Sequence, residues 1–346
     1  MRHLLIAITI VLVLLFPVRA MEFTAPSVPE SGQRYMPDET ENFGEGLLYV
    51  IRAALRTIHP SFTEAVRICA SLVVVSLLVT MLINVSPQVQ NVVTMAAVAV
   101  TGVMVLQPIR SLVRLGLDTV SQLSQYGKLL LPVMTGALAA QGAVTKSGAI
   151  YTATVFFDAI LSSAVARLLS PMIYIFICLG IAGKLLHQSM LDNLKTSVKW
   201  LMTWGLKIVL YVFTGYISIT GVVSGTTDAV MLKATKLTIS SMVPVVGGIL
   251  SDASEAILVS AGFMKNAAGI YGMLALISVA IGPFLEIGVQ YILLKACSGI
   301  CQMFGTPKIA GVIKDFSDSM GLILAMIGTV CVILLISIIC FMRGSA

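Results

Sequence analysis

Two short apolar segments, each interrupted by proline and glycine, restrict this chain more than any other feature. The first lies in Leu129 to Tyr151, LLLPVMTGALAAQGAVTKSGAIY. Pro132 and Gly136 break its apolar run, which gives out near Ala140 after roughly 12 residues, whereas a bilayer span needs about 20. The second, MVPVVGGIL over Met242 to Leu250, places Pro244, Val245, Gly248 and Leu250 at the spacing of Pro132, Val133, Gly136 and Leu138. Each segment is followed by a small polar patch and then Ile-Tyr, at Ile150-Tyr151 and Ile270-Tyr271. Each is preceded by an amphipathic stretch and, before that, by a full-length apolar run. The pattern predicts a diverged internal duplication, with halves over about 89–186 and 200–304. Paired, interrupted apolar segments in two halves are the best sequence pointer to a transporter-like centre.

The chain between these landmarks is built for lipid. Of its 346 residues 58% are hydrophobic and 11% charged, against about 25% charged in a soluble domain. The expected fold class is an all-α, polytopic integral membrane protein, with about seven transmembrane helices plus broken or re-entrant segments and interfacial amphipathic helices. The net charge of +6 does not come from a basic face of the kind that binds nucleic acid. The basic residues are scattered between apolar runs, where they control topology.

In order, Met1 to Ala20 has a short basic start, an apolar core from Leu4 to Phe16 and a small residue at Ala20. It reads as a secretory signal peptide; the competing reading is an uncleaved first anchor. Residues 21–46 are rich in Pro, Glu, Ser and Asp and read as a flexible extracytoplasmic segment. Residues 47–67 follow as an amphipathic helix for the membrane interface, with Leu47, Val50, Ile51, Ala54, Leu55 and Ile58 on one face and a break at His59-Pro60. The polytopic domain runs from 68 to 346. Ile68–Val85 and Val89–Ile109 form a hairpin through Ser86-Pro87-Gln88, and Arg110–Lys128 is amphipathic. Gly148–Ala166 and Leu168–Ala182 read as successive passes punctuated by Arg167 and Pro171. Lys184–Lys199 is the clearest basic loop, placed in the cytoplasm by the positive-inside rule. Ala267–Leu294, interrupted by Gly282-Pro283, reads as two short passes by analogy with the first half, or else as one kinked helix. Phe304–Ser319 reads as interfacial and residues 321–341 as the final span, with Arg343 anchoring it inside. A mature chain that starts outside and ends inside needs an odd number of crossings, which seven satisfies.

The candidate functional residues are charges inside apolar runs, since a charge at membrane depth costs a few kcal/mol and faces a partner or a water path. Asp158 and Glu286 lead, as conduit or gating groups; salt bridges with Arg167 or Lys295 are the structural alternative. Arg167, Lys207 and Lys295 sit near run ends, where snorkelling accounts for them. Pro132, Gly136, Pro244 and Gly248 are candidates for a pore-facing turn, against simple close packing of helices. No catalytic, cofactor or metal site is expected. The sequence has no Gly-x-Ser-x-Gly, His-Glu-x-x-His or phosphate-binding loop. Its six cysteines include no Cys-x-x-Cys, and Cys297 and Cys301 have no His or acidic partner nearby.

Three phrases carry a resemblance: LLPVMTGALAAQGAVTKSGAIY, SMVPVVGGILSDASEAILVSAGFMKNAAGIYG and GPFLEIGVQYILLK. From about Leu47 to the C terminus the chain resembles the stage III sporulation protein AE family of endospore-forming bacteria. The resemblance implies a subunit of the multiprotein channel between mother cell and forespore, sited in the mother-cell-derived membrane around the forespore. It implies partners from the same operon, namely ring-forming proteins and a secretion-type ATPase, and a forespore membrane partner. It brings no catalytic residue. Two expectations compete: a permease-like or export-platform subunit, and a non-conducting scaffold that anchors the ring proteins and ATPase.

Overall fold

A computed structural model describes residues 26–37, 42–85, 87–141, 143–186, 188–242 and 247–343, with side chains described except at 87, 189 and 220–265. The signal-peptide reading and Pro244 lie outside the described residues. Among those residues every regular element is helical. They are α1 (Glu30–Gln33), α2 (Phe43–Thr57), α3 (His59–Val85), α4 (Gln90–Ala140), α5 (Val144–Ala164), α6 (Ser170–Leu186), α7 (Ser189–Met242), α8 (Gly247–Met303) and α9 (Pro307–Arg343). Six segments are long and apolar enough to cross a bilayer: His59–Val85, Gln90–Ala140, Val144–Leu186, Met190–Ile219, Asn266–Met303 and Pro307–Arg343. In such a solvent every backbone polar group must be paired internally, which helices achieve alone.

The helices run longer than the sequence pattern suggests. Pro132 and Gly136 do not break the chain: both lie inside the 51-residue helix α4, which ends at Ala140. The reason is their placement. Both sit on the outer face of α4, so the ring of Pro132 projects outward, as does the Lys128 position whose carbonyl the missing N–H leaves unpaired. Gly248 likewise lies in the first turn of α8. The two passes expected over 148–182 are one continuous segment. Pro171 has no N–H and would clash with the preceding turn of an α-helix. The helix widens to a π-turn over Val165–Leu169 immediately before it, where the Ser170 N–H bonds the Val165 carbonyl, and then continues as α6. Pro283 is also carried inside one helix, α8, so Ala267–Leu294 is a single pass. The described parts of Lys184–Lys199 are helical, up to Leu186 and again from Ser189. Phe304–Ser319 is continuous with the final span from Pro307 onward.

At a rise of 1.5 Å per residue the 51 residues of α4 extend about 77 Å, more than twice the roughly 30 Å hydrocarbon core. The long helices therefore carry parts that stand outside it.

Contacts give the packing order. Ser124 meets Asp158 across α4 and α5, and Gly102 faces Ile181 across α4 and α6. The segment α5–α6 thus folds back antiparallel along α4. Lys184 meets Asp192 and Phe157 packs on Phe213, so α7 returns antiparallel to α5–α6. Ser298 bonds the Ala310 carbonyl and Gly269 faces Met342, which makes α8 and α9 an antiparallel hairpin. Helix α9 is the centre. Buried residues cover most of its circumference, from Ile309 through Phe316, Ile323 and Val330 to Phe341, and leave one narrow exposed stripe at Lys314, Ala325, Val332 and Ile339. The buried faces of this helix pack on α4, α5, α6 and α8.

The seam between α4 and α9 depends on glycine. A Cβ on Gly116 would strike Ile323, and one on Gly127 would sit 2.8 Å from Leu334. Both contacts recur about three turns later on both helices, so α4 and α9 run parallel and in register. Gly272 of α8 similarly admits Leu130 of α4, at 2.5 Å from a Cβ position. Small residues that let helix axes approach are the usual device for packing in lipid.

Within the segment read as flexible, residues 26–37 instead pack on α8. Val28 and Tyr35 are buried, Gly32 lies against Val279, and Tyr35 covers Gly282. The Ser31 hydroxyl also donates to the Gln122 side chain on α4. The amphipathic helix α2 follows and buries Val50 and Ala54 against Ile277, Ile281 and Leu285 of α8. Leu55, expected on the same apolar face, stays exposed.

These contacts predict opposite outcomes for two glycines. Gly116→Val should lower stability by about 1–3 kcal/mol through overpacking. Gly136→Ala, where a Cβ meets nothing within 4 Å, should be neutral or gain up to about 1 kcal/mol. Thermal unfolding of the two purified variants in one detergent checks the ranking.

Candidate functional site

Of the residues proposed as conduit or gating groups, the four whose side chains are described, Asp158, Glu286, Pro132 and Gly136, do not converge. Asp158 is 3% exposed on the inner face of α5. The Ser124 hydroxyl donates to its Oδ2 at 2.6 Å, and its Oδ1 has no protein partner. Glu286 is half-buried on α8, beside a cavity of about 40 Å3 lined also by Glu64, Ser61, Ser111 and Gln290. Along α4, the Ser111 and Ser124 positions that mark the two sites are about 20 Å apart. Pro132 and Gly136 are on the outer surface of α4, so neither closes a helix contact nor lines either site.

The salt bridges offered as the structural alternative do not form. Arg167 is exposed and pairs with no carboxylate among the described residues. Lys295 is exposed and donates to the Tyr291 hydroxyl at 2.9 Å, with its ammonium 5.1 Å from that ring's centroid. Its long stem keeps the charge outward, as snorkelling requires.

The strongest cluster lies elsewhere, where α6, α7, α8 and α9 meet. Lys195 of α7 donates to both oxygens of Asp315 on α9, each at 2.9 Å, and to Asp192 at 3.0 Å. Lys184, at the end of α6, holds the same Asp192 through both oxygens at 3.1 and 3.0 Å. One turn on, Lys199 donates to Asp318 at 2.7 Å. The Lys195 and Asp315 side chains are only 12% and 10% exposed. The backbone is shaped around these charges. A Cβ on Gly180 would lie 2.7 Å from the Asp315 carboxylate, and one on Gly311 would lie 2.8 Å from Cε of Lys184. The pairs border an open crevice of about 440 Å3, to which Ser298, Gln302 and Lys314 also contribute.

Sequence reading took Lys184–Lys199 for a solvated loop and missed this cluster. A signal was present. Lys195 and Lys199 stand at i, i+4 and Asp315 and Asp318 at i, i+3 in a chain poor in acids. Each set lies on one face of its helix, and the two faces are complementary.

A second polar feature lies on α4. Gln107, Arg110, Arg114, Asp118, Gln125 and Lys128 form its exposed face through the middle of the helix. Arg114 and Asp118 pair at 3.8 Å with side chains 85% and 61% exposed. Apolar residues are exposed at both ends of the same helix, Val92 and Val103 before this band and Leu129 after it.

Six long apolar helices, packed about a central one, define a polytopic α-helical membrane protein. The chain belongs to the stage III sporulation protein AE family, whose family model matches residues 39–345. A relative in Bacillus subtilis (strain 168), "Stage III sporulation protein AE", is 21% identical over 221 residues. That match covers 64% of this chain and 55% of the relative, so the chain matches little more than half of the relative's length. No solved structure matches.

The ion pairs predict a double-mutant result. Asp315→Asn should cost about 2–4 kcal/mol; removing one member of a buried pair strands the other, although Lys195 keeps Asp192. Lys195→Met combined with Asp315→Leu should recover at least half of that loss, because apolar isosteres replace a buried pair at little cost. Thermal unfolding of the three variants against the parent gives the coupling.

Proposed function

We propose that this chain is the export-platform membrane subunit of a stage III sporulation complex joining mother cell and forespore, in the mother-cell-derived membrane around the forespore. In this reading it works with the ring-forming proteins and the secretion-type ATPase of the same operon and with a forespore membrane partner. The observation that carries the reading is the polar band of α4. Gln107 to Lys128 is an exposed, charge-bearing face within a helix that is otherwise apolar outside. Charge of this kind in a membrane helix faces water or protein, not lipid. The conducting surface then lies on the outside of the single-chain bundle, shared with neighbouring subunits. The bundle's own middle is filled by α9, and Asp158 is enclosed beside it. This differs from a permease with a polar path between the two interrupted segments that touches Asp158 or Glu286, and it gives the subunit a wall of a larger conduit.

The scaffold reading uses the same band as a dry contact for ring proteins. Single cysteines separate the two, placed at Ser111, Ser121 and Gln125 in a background with the six native cysteines replaced. In sporulating cells containing the whole operon, the platform reading expects a membrane-impermeant thiol reagent to label all three. It also expects Val92→Cys and Val103→Cys to stay unlabelled. Loss of labelling in the band whenever the operon partners are present favours the scaffold and overturns the platform.

A further inference from the structure

We propose that the crevice between α6, α7, α8 and α9 is a phosphate-binding site. Four lysines border it: Lys184, Lys195, Lys199 and Lys314. Three carboxylates answer them. Asp192 and Asp315 hold Lys184 and Lys195, and Asp318 holds Lys199. Lys314 is left without a carboxylate partner among the described residues, so the crevice carries one cation in excess. The ion pairs keep the other ammonium groups in place, with the Asp315 carboxylate seated against Gly180 and the Lys184 stem against Gly311. An anion entering the 440 Å3 space meets Lys314, the Lys199 ammonium at its rim and the neutral amide donor of Gln302. Phosphoryl oxygens suit such donors, because charge-assisted bonds from ammonium to phosphate are short and strong.

The surroundings indicate where the phosphate comes from. The crevice begins at Pro307, just past the turn between α8 and α9. That turn packs on α3, with the Thr306 hydroxyl 2.6 Å from Ser76. Helix α3 continues to Val85, about 14 Å further, and this hairpin tip exposes Met81, Leu82, Val85, Val89 and Val92. A tip so apolar sits in lipid or at its edge. The crevice is set back from it, level with the hairpin's flank, within reach of one leaflet's headgroups. Basic pockets between membrane helices are known acidic-lipid sites. The shared chemistry is a phosphate group, carried either by an acidic phospholipid or by inorganic phosphate. This inference stands apart from the platform reading and survives its failure.

The test uses the full chain in nanodiscs of phosphatidylcholine, with and without phosphatidylglycerol. Lipid retained by the protein after detergent release is counted by native mass spectrometry. Phosphatidylglycerol should be retained over phosphatidylcholine. Lys314→Ala, on an exposed side chain, should weaken that retention at least about tenfold, the scale of one lost hydrogen bond to a charged group. Lys314→Arg should restore it. Inorganic phosphate added to phosphatidylcholine discs forms the second arm. If it alone raises the unfolding midpoint and Lys314→Ala removes the rise, the site stands with a soluble phosphate as its ligand. If neither arm responds, or if the response is the same in Lys314→Ala, the proposal is wrong.

Discussion

The bundle hangs on the grip around α9. In lipid there is little hydrophobic drive between helices, so association rests on close packing and on polar contacts. Helix α9 uses both. Gly116 and Gly127 let α4 approach it along a parallel seam. Thr154 on α5 and Ser337 on α9 share a hydrogen bond of 2.6 Å at one end. Thr306, just before α9, is tied to Ser76 on α3 at the other. The core helix is thereby held in register at both ends, and the charged crevice near its start inherits that order. Asp315 and Asp318 meet their lysines because α9 cannot slide.

The same constraint decides where polar groups can go. Helix α9 occupies the centre of the described bundle. Charge is therefore handled in two ways. In the crevice it is neutralised pairwise, over glycines that make room for the side chains. On α4 it is turned outward as a band between apolar ends. The first arrangement builds a local site at one end of the bundle. The second leaves a surface that water or another protein must complete.

The fold class and the α3–α4 hairpin were legible in the sequence, because apolar runs and the Ser86-Pro87-Gln88 turn report directly on membrane helices. Helix continuity was not. Pro108, Pro132 and Pro283 all lie inside helices; in membrane proteins neighbouring groups can re-satisfy the carbonyls that proline frees. At Pro171 a π-turn absorbs the clash instead. Neither device leaves a mark in local composition. The candidate site was legible only in parts. Asp158 is the most buried of the candidate charges, yet its partner is Ser124 rather than Arg167. The Lys–Asp crevice joins residues about 120 positions apart, a distance over which periodicity is silent. Only the matched spacing on two helices hinted at it.

The seating of α9 can be tested with cysteine pairs in a chain lacking its native cysteines. Thr154→Cys with Ser337→Cys, and Ser76→Cys with Thr306→Cys, replace hydroxyls that lie 2.6 Å apart. Under mild oxidation in membranes both pairs should cross-link nearly completely within one chain. The exchanged pairs, Thr154 with Thr306 and Ser76 with Ser337, should not cross-link. Cross-linking of the exchanged pairs, or failure of both native pairs in protein that remains folded, would contradict a central α9 held at both ends.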